Sequence, residues 1–208
     1  MFLKLRYAEN FAGTMAVGDG QDTRAYRGNS IFDPYAGAGG HAPYSSEQWT
    51  NFYKRYRVFG SSIKVTCAYN RSANSSTADN INGINLYVVP VTDSTIVFQS
   101  TLDEMPRCRK RFNWATYQNR PSRIKHYATT RQIFGVSKAT ASTNAEFSAL
   151  TGPTGTGSDP SAQWYWWIAA TKPFDAVSTV VQQLMWRVEI TYYVVLYDRK
   201  WLDQSYPS

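Results

Sequence analysis

Large apolar residues recur at every second position through much of the chain. From Leu184 the even positions read Leu184, Trp186, Val188, Ile190, Tyr192, Val194 and Leu196, while Arg187, Glu189 and Thr191 fall between them. A period of two sends one set of side chains into a core and the other outward. The segment therefore predicts a half-buried strand of about 50 Å, at about 3.3 Å per residue. Met185, Val195 and Tyr197 add apolar residues to the second face near its ends, so more than one neighbour is expected to cover it. The same alternation predicts strands at Leu3, Leu5 and Tyr7 (opposite Lys4 and Arg6), at Ser62–Tyr69, at Ile84, Leu86 and Val88 before Pro90, and at Trp164, Trp166 and Ile168. Pro90 is expected to end its strand. Weaker signals fall at Asp22–Arg27, after the turn pair Asp19-Gly20, at Arg109–Trp114 and at Ile124–Thr130. About eight strands with no regular strand–helix alternation argue against a parallel sheet.

One helix interrupts the pattern. Ser45 and Gln48 have the spacing of a capping box, and Trp49, Phe52, Tyr53 and Tyr56 repeat at i, i+3, i+4 and i+7. A further helical turn is expected at Thr101–Glu104 before Pro106. Asn70–Gly83 and Ser137–Gln163 read as long polar loops, and loops beyond about 12–15 residues usually carry function. Neither an internal repeat nor a composition break divides the chain, so one domain over residues 1–208 is expected.

Composition narrows the function. Aromatic residues, at 15%, nearly match charged ones at 18%, a balance suited to β proteins with protein-facing surfaces. No apolar run approaches the roughly 18 residues of a membrane helix, and no membrane partner is expected. Cys67 and Cys108 are too few for a disulfide framework, and no secretory signal opens the chain. Enzyme chemistry lacks its parts. His41 and His126 cannot make a histidine metal cluster, and no Gly-x-Ser-x-Gly elbow is present. Neither Gly37–Gly40 nor TGPTGTG continues into the Lys-Ser/Thr of a phosphate loop. Cys67 and His126 read as core residues, Asp103-Glu104 as part of a helical turn, and the Asn-x-Ser sequences at Asn70 and Asn74 as marks of an exposed loop. No catalytic residue, metal ligand or cofactor is assigned.

Charge distribution says more than the formal net charge of +7. Between Glu104 and Glu146 no acid occurs, yet this stretch holds Arg107, Arg109, Lys110, Arg111, Arg120, Arg123, Lys125, Arg131 and Lys138. Phe112, Trp114, Tyr117 and Tyr127 lie among them. Cations with aromatics can neutralise phosphates and stack bases; they can equally be a charged edge strand that resists mispairing. A second acid-free stretch, between Glu47 and Asp79, holds Lys54, Arg55, Arg57, Lys64 and Arg71.

The block YRGNSIFDPYAGAGGHAPYSSEQWTNFYKRYRVFGSSIKVTC, Tyr26–Cys67, resembles the capsid proteins of circovirus-like viruses, which carry circular single-stranded DNA and encode a replication initiator. The matching elements are Asn29–Pro34, the Gly40–Tyr44 turn, the short helix and the Tyr56–Val65 strand. Pro90, RIKHYATTRQIFG (Arg123–Gly135) and VEITYYVVLYDRK (Val188–Lys200) continue the resemblance in order along most of the chain. It implies an all-β fold, a single eight-stranded antiparallel viral jelly roll of two packed sheets with strands named B to I. It further implies self-assembly of sixty copies into a T=1 icosahedral shell around a circular single-stranded DNA genome, in the virion and, during assembly, in the host nucleus or cytoplasm. Loops at the outer surface would meet a host receptor whose identity the resemblance leaves open. Two rival readings are a lectin-like jelly roll that binds carbohydrate through exposed Trp and Tyr, and a basic nucleic-acid-binding β domain that forms no shell.

The resemblance implies an Arg-rich arm at the start, whereas Met1-Phe2-Leu3-Lys4 leads almost directly into a strand, so the expectation is an arm-deleted form of a longer chain, the alternative being a virus that packages its genome with weaker charge compensation. Sixty copies carry a formal charge of about +420, fewer than the about 624 phosphates of a gene for this chain alone. For the nucleic-acid-binding inner surface the residues assigned are Lys4 and Arg6, then Arg109, Lys110, Arg111, Arg123 and Lys125.

Overall fold

The computed structural model describes residues 1–17, 20–70, 83–95, 99–113, 121–152, 157–172 and 181–200. The Asp19-Gly20 turn in part, residues 71–82 of the Asn70–Gly83 loop, Trp114, Tyr117 and Arg120, and part of TGPTGTG lie outside the described residues.

Nine strands form two antiparallel sheets. They are β1 (Phe2–Met15), β2 (Asp22–Arg27), β3 (Tyr53–Tyr69), β4 (Ile84–Val91), β5 (Arg109–Asn113), β6 (Ser122–Thr129), β7 (Ser148–Leu150), β8 (Tyr165–Thr171) and β9 (Gln182–Arg199). The first sheet runs β1-β9-β3-β6, with short β7 added to β3, and the second runs β2-β8-β4-β5. The chain passes from one sheet to the other at every step except β4 to β5 and β6 to β7, and β8 and β9 return to lie between the earliest strands, as in a jelly roll.

The even positions of β9 from Gln182 to Leu196 are all buried, and the core they enter is faced from the second sheet by Tyr26, Leu86, Val88, Trp166 and Ile168, with Trp164 just before β8. Cys67 is buried within it, and both cysteines are free. Three indole N–H groups in or beside this core each find an acceptor, because an unpaired buried donor is costly. Trp164 donates to Thr130 Oγ1 at 3.2 Å, Trp166 to Ser61 Oγ at 2.8 Å and Trp186 to Asp22 Oδ2 at 2.7 Å. A smaller cluster on the far side of the second sheet (Tyr87, Val89, Trp167, Ala169) is covered by Leu102 of helix α2 (Gln99–Glu104).

Four sequence expectations need correction. Helix α1 spans only Ser46–Thr50; Ser45 is left-handed at φ 67° and makes no side-chain cap. Tyr53 and Tyr56 belong to β3, where Tyr53 pairs with Arg199 and Tyr56 with Leu196. Pairing with the long β9 outweighs a helical periodicity too short to nucleate well alone. Pro90 does not end β4: it pairs with Trp166, beyond Val88↔Arg109 where β5 stops, so its missing N–H disrupts no ladder on that side. The Ser137–Gln163 stretch contains α4 (Lys138–Thr143), a 3-10 turn at Ala145–Phe147 and β7. Thr130, placed in a strand, begins helix α3 (Thr130–Phe134). Thr129 and Gln132 form a reciprocal capping box there, and Gly135 closes the helix at φ 66°.

Central strand β3 carries a register shift between Val58 and Gly60. A Cβ on Gly60 would stand 2.6 Å from the Ala128 carbonyl oxygen, so β3 and β6 approach here as only glycine permits.

Candidate nucleic-acid interface

The outer face of the first sheet collects the cations. Register places Arg6, Thr191, Ser62 and Tyr127 in one row across β1, β9, β3 and β6. The next row holds Ala8, Glu189, Lys64 and Lys125, and the one after it Asn10, Arg187, Thr66 and Arg123. Lys4 lies opposite Tyr193 on the other side of the Arg6 row, its ammonium 5.6 Å from the ring centre. Four assigned residues, Lys4, Arg6, Arg123 and Lys125, therefore share a face with Lys64 and Arg187. Its acid in these rows is Glu189.

Glu189 accepts from Lys64 at 2.5 Å and from Arg187 at 3.4 Å, and those hydrogen bonds hold its carboxyl below the usual range. The pairs are solvent-facing and weak. They nonetheless place Lys64 between Glu189 and the directly opposed Lys125. A shallow basin of about 470 Å³ opens over this face, lined by Arg6, Lys64, Lys125 and Tyr127 with Arg109 at its rim. Tyr127 is half exposed and meets Tyr193 edge-on at 5.7 Å, across the small Gly60 and Ser62 of β3. Cations spaced around accessible aromatic rings suit a single strand, whose backbone is anionic and whose bases stack.

Arg109 and Arg111 reach the same region from the other sheet. Their strand neighbours Val88 and Leu86 point into the core, so both side chains leave β5 on its inner side, toward the open edge of β6. Arg109 Nη1 donates to the Lys125 carbonyl at 3.0 Å and Arg111 Nη1 to the Arg123 carbonyl at 3.2 Å. His126 lies beneath. Its Nε2 donates to the Arg107 carbonyl at 2.8 Å, its Nδ1 accepts from the Tyr127 N–H at 2.9 Å, and its ring packs 5.2 Å from Trp166. Burial lowers its pKa, with the neighbouring Arg109 charge acting in the same direction.

Lys110 stands apart. It pairs with Tyr87, which faces the cluster under α2, and its ammonium is 2.9 Å from Asp103. Alternation along Arg109, Lys110 and Arg111 carries that signal, since a strand sends the middle residue to the opposite face. Lys64, Arg187 and Tyr193 escaped assignment. Their positions on the polar faces of β3 and β9 are the sequence trace of the site, but register is needed to bring them beside Lys125 and Arg6.

No family model matches this chain, and no curated protein matches it in sequence. Solved structures do. The BFDV capsid protein in its 60-mer form aligns over 99% of this chain and 97% of its own, at 14% identity and a TM-score of 0.51. This chain has a viral capsid jelly-roll fold. The decameric form of the same BFDV protein aligns over 93% of this chain and 97% of its own (15% identity, TM-score 0.47), and the Cocksfoot mottle virus structure over 92% and 95% (7% identity, TM-score 0.43). Among the described residues of this capsid-type jelly roll, no helix is long and apolar enough to cross a membrane.

Proposed function

We propose that the chain is a structural protein, the coat subunit of a virion, whose 208 residues form one jelly-roll domain. Sixty copies close a T=1 shell around a circular single-stranded DNA genome, and the outer face of the first sheet is turned inward against that DNA. The observation that carries this reading is the face itself: Lys4, Arg6, Lys64, Arg123, Lys125 and Arg187 around Tyr127 and Tyr193, on the fold of a capsid protein solved as a 60-mer. Phosphates meet the cations and unpaired bases the rings. Surface loops engage the host, and assembly takes place in the infected cell, in nucleus or cytoplasm.

Sedimentation velocity with the 260/280 nm absorbance ratio read across the boundary tests both halves. A boundary near sixty subunits with nucleic-acid absorbance is expected. A monomer that stays a monomer with DNA added would overturn the shell and favour a non-assembling basic domain. A shell whose nucleic-acid content is unchanged after Lys125→Ala and Arg6→Ala would overturn the assigned face.

A further inference from the structure

Arg55 and Arg57, from the second acid-free stretch, lie further along the outer face of the first sheet. Register sets Phe2, Val195, Arg57 and Ser148 in the row next to that of Lys4 and Tyr193. The strand neighbours Tyr56, Val58, Val194 and Leu196 are buried in the core, so Arg57 leaves β3 on the outer side. There the segment joining α4 to β7 closes over it, and only 8% of Arg57 stays exposed. A hollow of about 380 Å³ opens at this place, lined by Arg55, Arg57, Phe59, Tyr197 and Asp198 with small polar residues around them.

A guanidinium keeps its charge, and enclosing a charge without a counterion is costly. Arg57 nonetheless has no acidic partner among the described residues. Its Nη2 donates to the Asn144 carbonyl at 2.9 Å, and its Nε is enclosed with no hydrogen-bond partner. Nη1 is the nitrogen left open to the hollow, so the site offers an unspent cationic donor. Arg55, half exposed, holds Asp198 at 3.3 Å in a pair that solvent weakens. The missing partner is an anion, and the rings say which kind. The Arg57 guanidinium lies 5.6 Å from the Tyr197 ring centre, as the Lys4 ammonium lies 5.6 Å from that of Tyr193 one row away. A cation beside a ring, repeated along a face, matches the phosphate and base of successive nucleotides. We propose that this hollow seats one phosphate of a single strand running on from the basic face, with Arg57 as its buried anchor. The proposal rests on the reading of that face as turned against DNA, and it adds a station that the cation rows do not contain.

Fluorescence anisotropy with oligo-dT on the 208-residue chain tests the seat. Arg57→Met keeps the aliphatic bulk and removes the charge. It should weaken binding about tenfold and flatten the salt slope by about 0.7, the share of one phosphate. The free variant should melt no lower than the parent, because an enclosed charge is gone and the Asn144 carbonyl still accepts from the Phe147 N–H at 3.3 Å. Asp198→Asn, at an exposed left-handed position that Asn also adopts, releases Arg55 and should tighten binding about twofold. Oligo-dT binding unchanged in both variants, beside losses in Arg6→Ala and Lys125→Ala, would overturn the seat and spare the face. No binding by the parent would overturn the face and the seat with it. A loss in Arg57→Met seen only with a heparin oligosaccharide would also overturn the seat, in favour of a sulfated glycan. So would a loss of self-association alone, which would assign Arg57 to a contact between copies.

Discussion

The Arg109 guanidinium donates to the backbone carbonyl of Lys125 at 3.0 Å, joining the last strand of one sheet to the open edge of the other. Arg111 repeats the contact two residues on. These arginines fill a line of edge acceptors that would otherwise invite a foreign strand. The two readings of the basic stretch, edge protection and phosphate binding, therefore meet in the same residues. Arg109→Ala should lower the free energy of unfolding by about 0.5–1.5 kcal/mol, toward the lower figure because the contact is exposed. Lys125→Ala should cost less, since Lys125 contributes its backbone to this contact. Urea denaturation of both variants checks the order; equal losses would count against the strap.

Phosphate contacts have a separate signature in salt. For single strands the slope of log K against log salt changes by about 0.7 per neutralised phosphate. Arg6→Ala and Lys125→Ala should each flatten the slope for an oligo-dT ligand by up to that amount. Lys110→Ala should leave it unchanged, because Lys110 points to the far side of the second sheet and is engaged with Asp103 of helix α2. Fluorescence anisotropy titrations at several salt concentrations give the slopes. A Lys110→Ala effect as large as that of Lys125→Ala would mean that DNA lies elsewhere.

His126 makes the fold sensitive to mild acid. Its pKa lies below the ordinary value of 6.5, so the unfolded chain takes up the proton first as pH falls. The sign follows: stability is complete above about pH 6.5 and declines as acid approaches the lower, folded value. Protonation would also force a proton onto Nδ1, which now accepts from the Tyr127 N–H. Melting temperatures from pH 7.5 to 5 should fall more steeply for the parent than for His126→Gln. Parallel curves would assign the acid response to other groups.

The extent to which sequence revealed this molecule depends on how locally each feature is encoded. The buried face of β9 is written in its even positions because a strand has a fixed period and this one lies at the sheet centre. Arg6 and Lys125 could be assigned by the same alternation. That β1 and β6 share a face with Lys64 between them is a matter of register, which no local pattern encodes. Trp49, Phe52, Tyr53 and Tyr56 misled because aromatic spacing over two turns fits a helix as well as the entry to a bulged strand. The decision came from β9, far away in sequence. Helix α3, by contrast, had its signal in Thr129, Gln132 and Gly135, a capping box and a left-handed stop inside what read as one strand.

Alternation announced that Trp164 and Trp166 would be buried, but not what would receive their N–H groups. Ser61 Oγ accepts from Trp166 and donates to the Gly28 carbonyl at 2.7 Å, while Thr130 Oγ1 accepts from Trp164 and donates to the Val58 carbonyl at 2.8 Å. Each hydroxyl thus satisfies two groups in the interior, and its removal orphans both. Ser61→Ala and Thr130→Val should each destabilise the fold by about 1–3 kcal/mol, well beyond what so small a change in volume would cost. Trp166→Phe supplies the control. It removes the orphaned donor along with indole packing, so it should cost less in the Ser61→Ala background than in the parent. A double-mutant cycle by urea denaturation measures that coupling. Strict additivity would mean that Ser61 is needed for the Gly28 carbonyl alone, and that the indole N–H of Trp166 gains nothing from it.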